Sequence, residues 1–319
     1  PMKCWKSAAR NWARRAKHQT IEFVDYYDKE IEKKIGNDHE KLSQYHKHLR
    51  ELGWISSYSP TAGTTWRKNK KKIISMKPWF ESWFDSKYYH ILYQDRDNNE
   101  AIFLIDNILK RFTPQKNSSF LDLCCGKGRH AIYLNNIGFN VDGFDLSKKS
   151  LEIAKKHENE KLQFNCVDMR KFHISKRYNF VLNLFTSFGY FESEKDNKTV
   201  FQNIERALVD NGYLIIDFFN PQYAIKNLKP FEEKKIKNIL FTIKRRYDHN
   251  FIYKEIFVQE KNKKFSFTEK VRLINKQKFI NYTENLNINL IDVFGDYELN
   301  NFEPQSSERL LLVFKKIKN

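Results

Sequence analysis

The chain has 319 residues, 40% of them apolar and 30% charged, and its 27 Phe and 16 Tyr exclude a disordered segment. Its four cysteines (Cys4, Cys124, Cys125 and Cys166) are irregularly spaced, two of them adjacent, which excludes a disulfide framework or a zinc-ligand pattern. No apolar run reaches the roughly 18 residues of a membrane span, and the basic start lacks the apolar stretch of a signal peptide. A soluble protein of a reducing cytoplasm, with no bound metal, is therefore expected.

The net charge of +18 is unevenly placed. With 17 Lys/Arg against 8 Asp/Glu, residues 1–75 carry +9, half the total on less than a quarter of the length. Within them, residues 4–18 form a basic helical pattern with Trp5, Ala8, Ala9 and Trp12 on one side. A second helix is expected over 21–35 and a third over 38–52, stopped at Gly53. The stretch from Trp54 to Ile74 reads either as a short hairpin or as a flexible basic tail. Arg10, Arg14 and Arg15 resemble the last helix of some phage replication-initiation proteins over a dozen residues, and helices followed by a basic hairpin outline a winged-helix module. A nucleic-acid-binding module and a linker or appended segment both remain open for this piece.

Residues 76–319 form the second predicted domain. An aromatic lead-in, KPWFESWFDSKYYHILYQDRD, precedes an amphipathic helix over 99–112 whose apolar face carries Ala101, Ile102, Ile105, Ile108 and Leu109; Pro114 closes it. Strands at 119–124, 140–145, 162–167, 178–184 and 212–218 then alternate with helices at 128–137, 147–156 and 194–208. Such alternation implies parallel strands with right-handed crossovers, and a ligand crevice at their carboxyl ends. From Phe231 the rhythm becomes antiparallel, with polar turns at 248–250 and 261–264, a helix over 279–286, and two closing strands at 289–295 and 309–315. The predicted fold class is α/β: a doubly wound, mostly parallel seven-stranded sheet, a β-rich insertion over about 231–285, and a small basic helical amino-terminal appendage.

Phe120 to Leu134, FLDLCCGKGRHAIYL, is an apolar strand, a Gly126-x-Gly128 turn and a helix. Glycines permit the tight turn and a close backbone approach, and a helix amino terminus offers unpaired N–H donors. Taken alone this also satisfies a loose dinucleotide fingerprint, with Asp145 nineteen residues after Gly126. Asp122 tells against that reading, because a pyrophosphate loop gains nothing from a nearby negative charge, whereas an ammonium or a sulfonium does.

At this point the chain resembles the class I S-adenosylmethionine-dependent methyltransferases, and within them a bacterial subgroup of uncertain substrate. The resemblance implies a Rossmann-like sheet and S-adenosyl-L-methionine as cofactor. It implies that Asp122 orients the cofactor and that the Gly126–Gly128 turn, with Cys124, lies against its methionyl and ribose portions. Asp145, followed by Leu146, would accept from both ribose hydroxyls; Asp168 would accept from the adenine amine while the Met169 N–H meets a ring nitrogen. Leu184, in NLFTSFGYF, lies at the fourth-strand exit. In the lead-in, Tyr88, Tyr89, Tyr93 and Arg96 resemble the segment before the first strand of that subgroup, where a Tyr or Arg, here Tyr88 or Arg96, would bind the cofactor carboxylate, an arginine fork matching that group well.

The sulfonium activates the methyl group, so orientation and exclusion of water dominate the expected mechanism. No catalytic residue is assigned; Tyr190, Glu192 and His173 are candidate bases. The fourth strand lacks the Asn/Asp-Pro-Pro-aromatic tetrad of adenine- or glutamine-methylating families, no Pro-Cys pair is present, and Asn220-Pro221 reads as a strand stop. A cap over 231–285 favours an enclosed small-molecule acceptor, although Arg245, Arg246, Lys254 and Lys270 on it suit an anionic one. An RNA methyltransferase that docks phosphates through residues 1–75, a non-catalytic S-adenosylmethionine-binding regulator and an oxidoreductase are the alternatives.

Overall fold

Asp38 accepts the Lys41 amide at 3.1 Å and so opens helix α1, His39–Glu51. A hairpin of β1, Trp54–Ser59, and β2, Gly63–Lys68, follows, which resolves the sequence alternative in favour of paired strands. Trp66 of β2 is buried with Tyr45 and Leu49 of α1. The computed structural model describes residues 35, 37–51, 54–59, 63–68, 78–94, 98–172 and 176–318, so the basic helix expected over 4–18 and, but for Ile35, the second helix expected over 21–35 lie outside the described residues. The chain divides into two units, Pro1–Met76 and Lys77–Asn319.

The aromatic lead-in of the second unit folds as two short helices, α2 (Trp79–Phe84) and α3 (Lys87–Leu92), the latter capped by Ser86, whose hydroxyl accepts the Tyr89 amide at 3.0 Å. Helix α4, Asn98–Phe112, buries Ala101, Leu104, Ile105 and Ile108, one stripe at helical spacing. Leu104 takes the central place that the sequence reading gave to Ile102.

The repeating part then runs β3 (Ser119–Leu123), α5 (Arg129–Asn136), β4 (Asn140–Asp145), α6 (Lys148–Ala154), β5 (Leu162–Cys166), β6 (Tyr178–Asn183), α7 (Glu194–Ala207) and β7 (Leu208–Phe219). Strands β5, β4, β3, β6 and β7 pair parallel in that spatial order. Their side chains divide by alternation. Leu121, Val181, Leu214 and Ile216 pack towards Val200, Phe201 and Ile204 of α7 on one face. Phe120, Phe180, Leu182 and Ile215 pack towards α4, α5 and α6 on the other.

Helix α8, Pro221–Lys226, leads into an antiparallel sheet of β8 (Phe231–Ile236), β9 (Ile239–Tyr247), β10 (Phe251–Glu260) and β11 (Lys263–Arg272). Ile239, Phe241, Ile243, Ile256 and Val258 form its buried face against Trp83, Tyr88 and Leu92 of α2 and α3. Helix α9 spans Lys276–Tyr282, three residues earlier than its apolar pattern suggested, because the Asn275 side chain accepts the Lys278 amide and fixes the start. Strands β12 (Ile288–Phe294) and β13 (Arg309–Lys316) complete the large sheet, antiparallel to each other, with β13 antiparallel to β7. Among the described residues no helix is long and apolar enough to cross a membrane.

Candidate functional site

Spatial order reverses between β3 and β6, and at such a switch point the strand ends splay to leave a crevice. A cavity of about 840 Å³ opens there. Cys124, Gly126, Asp145, Leu146, Asp168, Met169 and Leu184 line it. These seven residues come from the ends of β3, β4, β5 and β6.

The turn after β3 has a left-handed start at Cys124 (φ 69°), Gly126 (φ 57°) and Gly128 (φ 81°). The two glycines do different work. A Cβ on Gly126 would meet nothing within 4 Å, so its backbone faces open space, whereas one on Gly128 would lie 2.6 Å from Phe164 Cζ. Gly128 therefore lets α5 pack on β5 and is not part of the cavity wall.

Asp145 holds this turn: Oδ2 accepts the Gly126 amide at 2.8 Å and Oδ1 the Ser147 amide at 2.7 Å. Each oxygen keeps a further lone pair. Asp122, one residue inside the end of β3, is 1% exposed and does not line the cavity; its Oδ2 has no hydrogen-bond partner. Burial, then the Asp145 charge, pushes its carboxyl up to about 7. His130 Nδ1 lies 3.8 Å away, but burial and then Arg129 bring that imidazole down to about 3, so it stands neutral beside Asp122 and forms no ion pair. Asn183 Oδ1 is a second buried acceptor without a partner.

Asp168 lines the cavity with both oxygens engaged. Arg170 donates from Nε at 3.0 Å and from Nη2 at 2.7 Å. Burial works to raise this carboxyl, but the Arg170 bonds and charge outweigh it and hold it below the usual range. Met169 is buried beside it, its sulfur 3.7 Å from Cys124 Sγ.

Tyr88 is not where the sequence reading put it. Its ring is buried among Phe265 and Phe267, and its hydroxyl donates to Glu260 at 2.8 Å. On α3, Tyr88 and Leu92 share one face and Tyr89 and Tyr93 another; the second pair lines the cavity. Arg96 and His173 lie outside the described residues. Among the candidate bases, Glu192 points away to Lys270 at 2.6 Å, and Tyr190 lines the cavity but gives its proton to the Thr186 carbonyl. The four insertion cations singled out in the sequence each meet an acid: Arg245 with Glu232, Arg246 with Glu255, Lys254 with Glu269 and Lys270 with Glu192. An anionic acceptor therefore finds none of the four waiting unpaired.

Three features escaped sequence reading. His90 lines the cavity with Nε2 buried and unpartnered, and burial followed by Lys127 lowers its pKa, so the ring is neutral at pH 7. Phe185 and Thr186 are consecutive left-handed residues, φ 54° and 56°, at the exit of β6. Glu269, from β11, reaches the cavity from the insertion. No local signal in the sequence links residues 90, 186 and 269.

Residues 120–212 match the family model described as a methyltransferase domain. The chain is 26% identical over 123 residues to dTDP-3-amino-3,6-dideoxy-alpha-D-glucopyranose N,N-dimethyltransferase of Streptomyces fradiae, covering 39% of this chain and 46% of that protein. It is 26% identical over 161 residues to the ubiquinone biosynthesis O-methyltransferase of Pelagibacter ubique, covering 48% and 65%. The match thus spans about half to two thirds of these relatives. Among solved structures, an S-adenosylmethionine-dependent methyltransferase from Clostridium acetobutylicum superposes with a TM-score of 0.61 at 19% identity, over 72% of this chain and 96% of that one. The S-adenosylmethionine-bound amino pentose methyltransferase CalS10 from Micromonospora echinaspora gives 0.55 at 16%, over 72% and 97%. Over residues 120–212 the chain carries a methyltransferase domain, and its fold is that of the S-adenosylmethionine-dependent methyltransferases.

Proposed function

We propose that the protein transfers a methyl group from S-adenosylmethionine to a small-molecule acceptor enclosed between the large sheet and the four-stranded insertion. The observation that carries this reading is the convergence of the Gly126 turn, Asp145, Leu146, Asp168 and Met169 on one cavity that β11 closes through Glu269 and Val271. The residues present fit the cofactor. Open space beside Gly126 admits a close approach, the spare lone pairs of Asp145 suit two ribose hydroxyls, and the unpartnered oxygen of Asp122 supplies negative character beneath a sulfonium nucleoside.

S-adenosylmethionine, when bound, supplies an already activated methyl group. The chain's own residues then have three tasks. Asp145, Asp168 and the turn hold the nucleoside in place; Leu146, Met169 and Leu184 line its apolar surroundings; the insertion with Trp79, Phe84 and Tyr89 excludes water from the far side. The size of the cavity and the strands that roof it favour a small molecule over a nucleic-acid strand, and two similar proteins are named for amino sugars. The three described cysteines are free thiols.

Calorimetry with S-adenosylhomocysteine tests the cofactor reading, and methyl-labelled S-adenosylmethionine incubated with metabolite extract and with total RNA tests the acceptor. Uptake of the nucleoside with label in the small-molecule fraction is expected. Label in RNA, with binding that weakens steeply in salt, replaces the small acceptor by a nucleic acid. Uptake without any turnover makes the protein a cofactor-binding regulator, and no uptake removes the reading altogether.

A further inference from the structure

Opposite the strand ends, the cavity is walled by rings in mutual contact. Tyr190 lies 5.3 Å from Trp79 and 5.5 Å from Phe84 between centroids, Phe84 lies 5.0 Å from Tyr89, and Tyr89 lies 5.1 Å from Tyr93. All five line the cavity, and the wall ends at a carboxylate: Glu269 Oε1 accepts from Tyr93 at 2.7 Å and from Trp83 Nε1 at 2.7 Å. A second, smaller cavity of about 180 Å³ lies beyond and shares Thr186, Glu269 and Val271 with the first.

Ring faces with a carboxylate at their edge attract a cation through the ring quadrupole and direct charge. The protein already shows this at work. Lys254, which lines the smaller cavity, places its ammonium 4.5 Å from the Tyr93 ring centroid and 3.7 Å from Glu269 Oε2, and donates to the Tyr93 hydroxyl.

We propose that the ring-walled end of the cavity takes the methyl acceptor and that the acceptor is an amine, arriving as its ammonium and held by the rings and Glu269. This rests on the methyl-transfer reading. An amine also suits the bases present. Before attack the ammonium passes one proton to the Glu269 carboxylate. The nitrogen lone pair then forms the new N–CH3 bond as the S–CH3 bond breaks, and that bonding pair stays on sulfur as a neutral thioether. An ammonium loses its proton at a pKa of about 10, whereas an alcohol, which holds its proton about as tightly as water, needs a far stronger base than a carboxylate.

The test uses choline and its neutral isostere 3,3-dimethylbutan-1-ol, binding to the full chain saturated with S-adenosylhomocysteine. Choline is expected to bind at least tenfold more tightly than the alcohol. Glu269→Gln, which retains an acceptor for Trp83 and Tyr93, is expected to abolish that preference. Lys254→Met, which removes the resident ammonium, is expected to tighten choline several-fold. Opposite signs for the two variants cannot arise if both residues merely support the fold. Retained uptake of S-adenosylhomocysteine shows that each variant is folded and that the methyl-transfer reading stands. With that uptake intact, no binding of choline, equal binding of the pair, or weaker choline binding by Lys254→Met overturns the amine.

Discussion

Arg309 Nε donates to Asp217 Oδ1 at 2.7 Å, and Asp217 is wholly buried. The pair stands on adjacent strands β13 and β7, yet its reach is to β6. Asp217 Oδ2 accepts the Phe185 amide at 2.8 Å and the Tyr297 hydroxyl at 2.9 Å, while Arg309 Nη2 donates to Thr186 Oγ1 at 3.0 Å. Two successive non-glycine residues in the left-handed region cost about 1–3 kcal/mol each. The strained exit of β6 is therefore fixed from behind by one carboxylate and one guanidinium, and it lines the cavity as a result.

Removing the arginine leaves Asp217 buried without its cation. Breaking such a pair costs roughly 3–5 kcal/mol. The Arg309 side chain is 21% exposed, so the lower end applies, about 3 kcal/mol. Arg309→Met is expected to lower Tm by roughly 6–12 °C in a domain of this size. Asp217→Asn, which keeps an acceptor for Phe185 or Tyr297, is expected to lower it less. Scanning calorimetry of the two variants reads the difference, and equal, negligible shifts would show that the network contributes nothing.

The two turn glycines separate cofactor contact from packing. Alanine at either position pays for a left-handed backbone with roughly 1–2 kcal/mol. At Gly128 the new methyl also collides with the Phe164 ring, whose Cζ would stand 2.6 Å away, and with Ala154 Cβ at 3.3 Å. Gly128→Ala is therefore expected to destabilise the domain by several kcal/mol. Gly126→Ala meets no protein atom within 4 Å, so the apoprotein should lose only the backbone cost, while S-adenosylhomocysteine affinity falls by tenfold or more as the methyl enters the nucleoside's space. Urea unfolding beside calorimetric binding distinguishes the two; a Gly126→Ala protein that binds with unchanged affinity would remove the turn from the site.

How far these features were legible in the sequence depends on whether the signal was local. The parallel strands were, because β3, β4 and β6 are almost continuously buried apolar runs, with β4 stopping at Asp145 and the Gly126 turn following β3. The parallel, doubly wound sheet and a crevice at its strand ends followed from the alternation; the spatial order of the strands did not. The phase of α3 was not legible: YYHILY carries an apolar or aromatic i, i+4 pair on both faces, Tyr88 with Leu92 and Tyr89 with Tyr93, and only the insertion packing on the first pair decides which one faces the ligand. Glu269 was hidden for a similar reason. Phe265, Phe267, Glu269 and Val271 alternate along β11, and a charge in such a strand resembles a solvated face until Trp83 and Tyr93, more than 170 residues earlier, are seen to hold it.

The pH dependence of stability isolates Asp122. Its carboxyl titrates near 7 in the folded chain, against 3.8 ordinarily, chiefly through burial. Between those values the folded state keeps a proton that the unfolded chain has released, so unfolding sheds a proton and stability falls as pH rises from about 4 to about 7. Above 7 the loss is complete and the curve is flat with respect to this group. Moving a carboxyl from 3.8 to about 7 corresponds to roughly 4 kcal/mol at most. Asp122→Asn cannot ionise and is expected to raise Tm relative to the parent at pH 8, and to leave it equal or lower at pH 4, where the parent carboxyl is protonated. The amide leaves a buried donor where Oδ2 has no partner now, which subtracts about 1–3 kcal/mol from the gain. A cationic ligand settling beside Asp122 reverses the preference, because it favours the ionised carboxylate. S-adenosylmethionine affinity of the parent should therefore rise between pH 6 and 8, and that of Asp122→Asn should stay level. Parallel pH profiles for the two proteins would mean that this carboxyl does not feel the cofactor's charge.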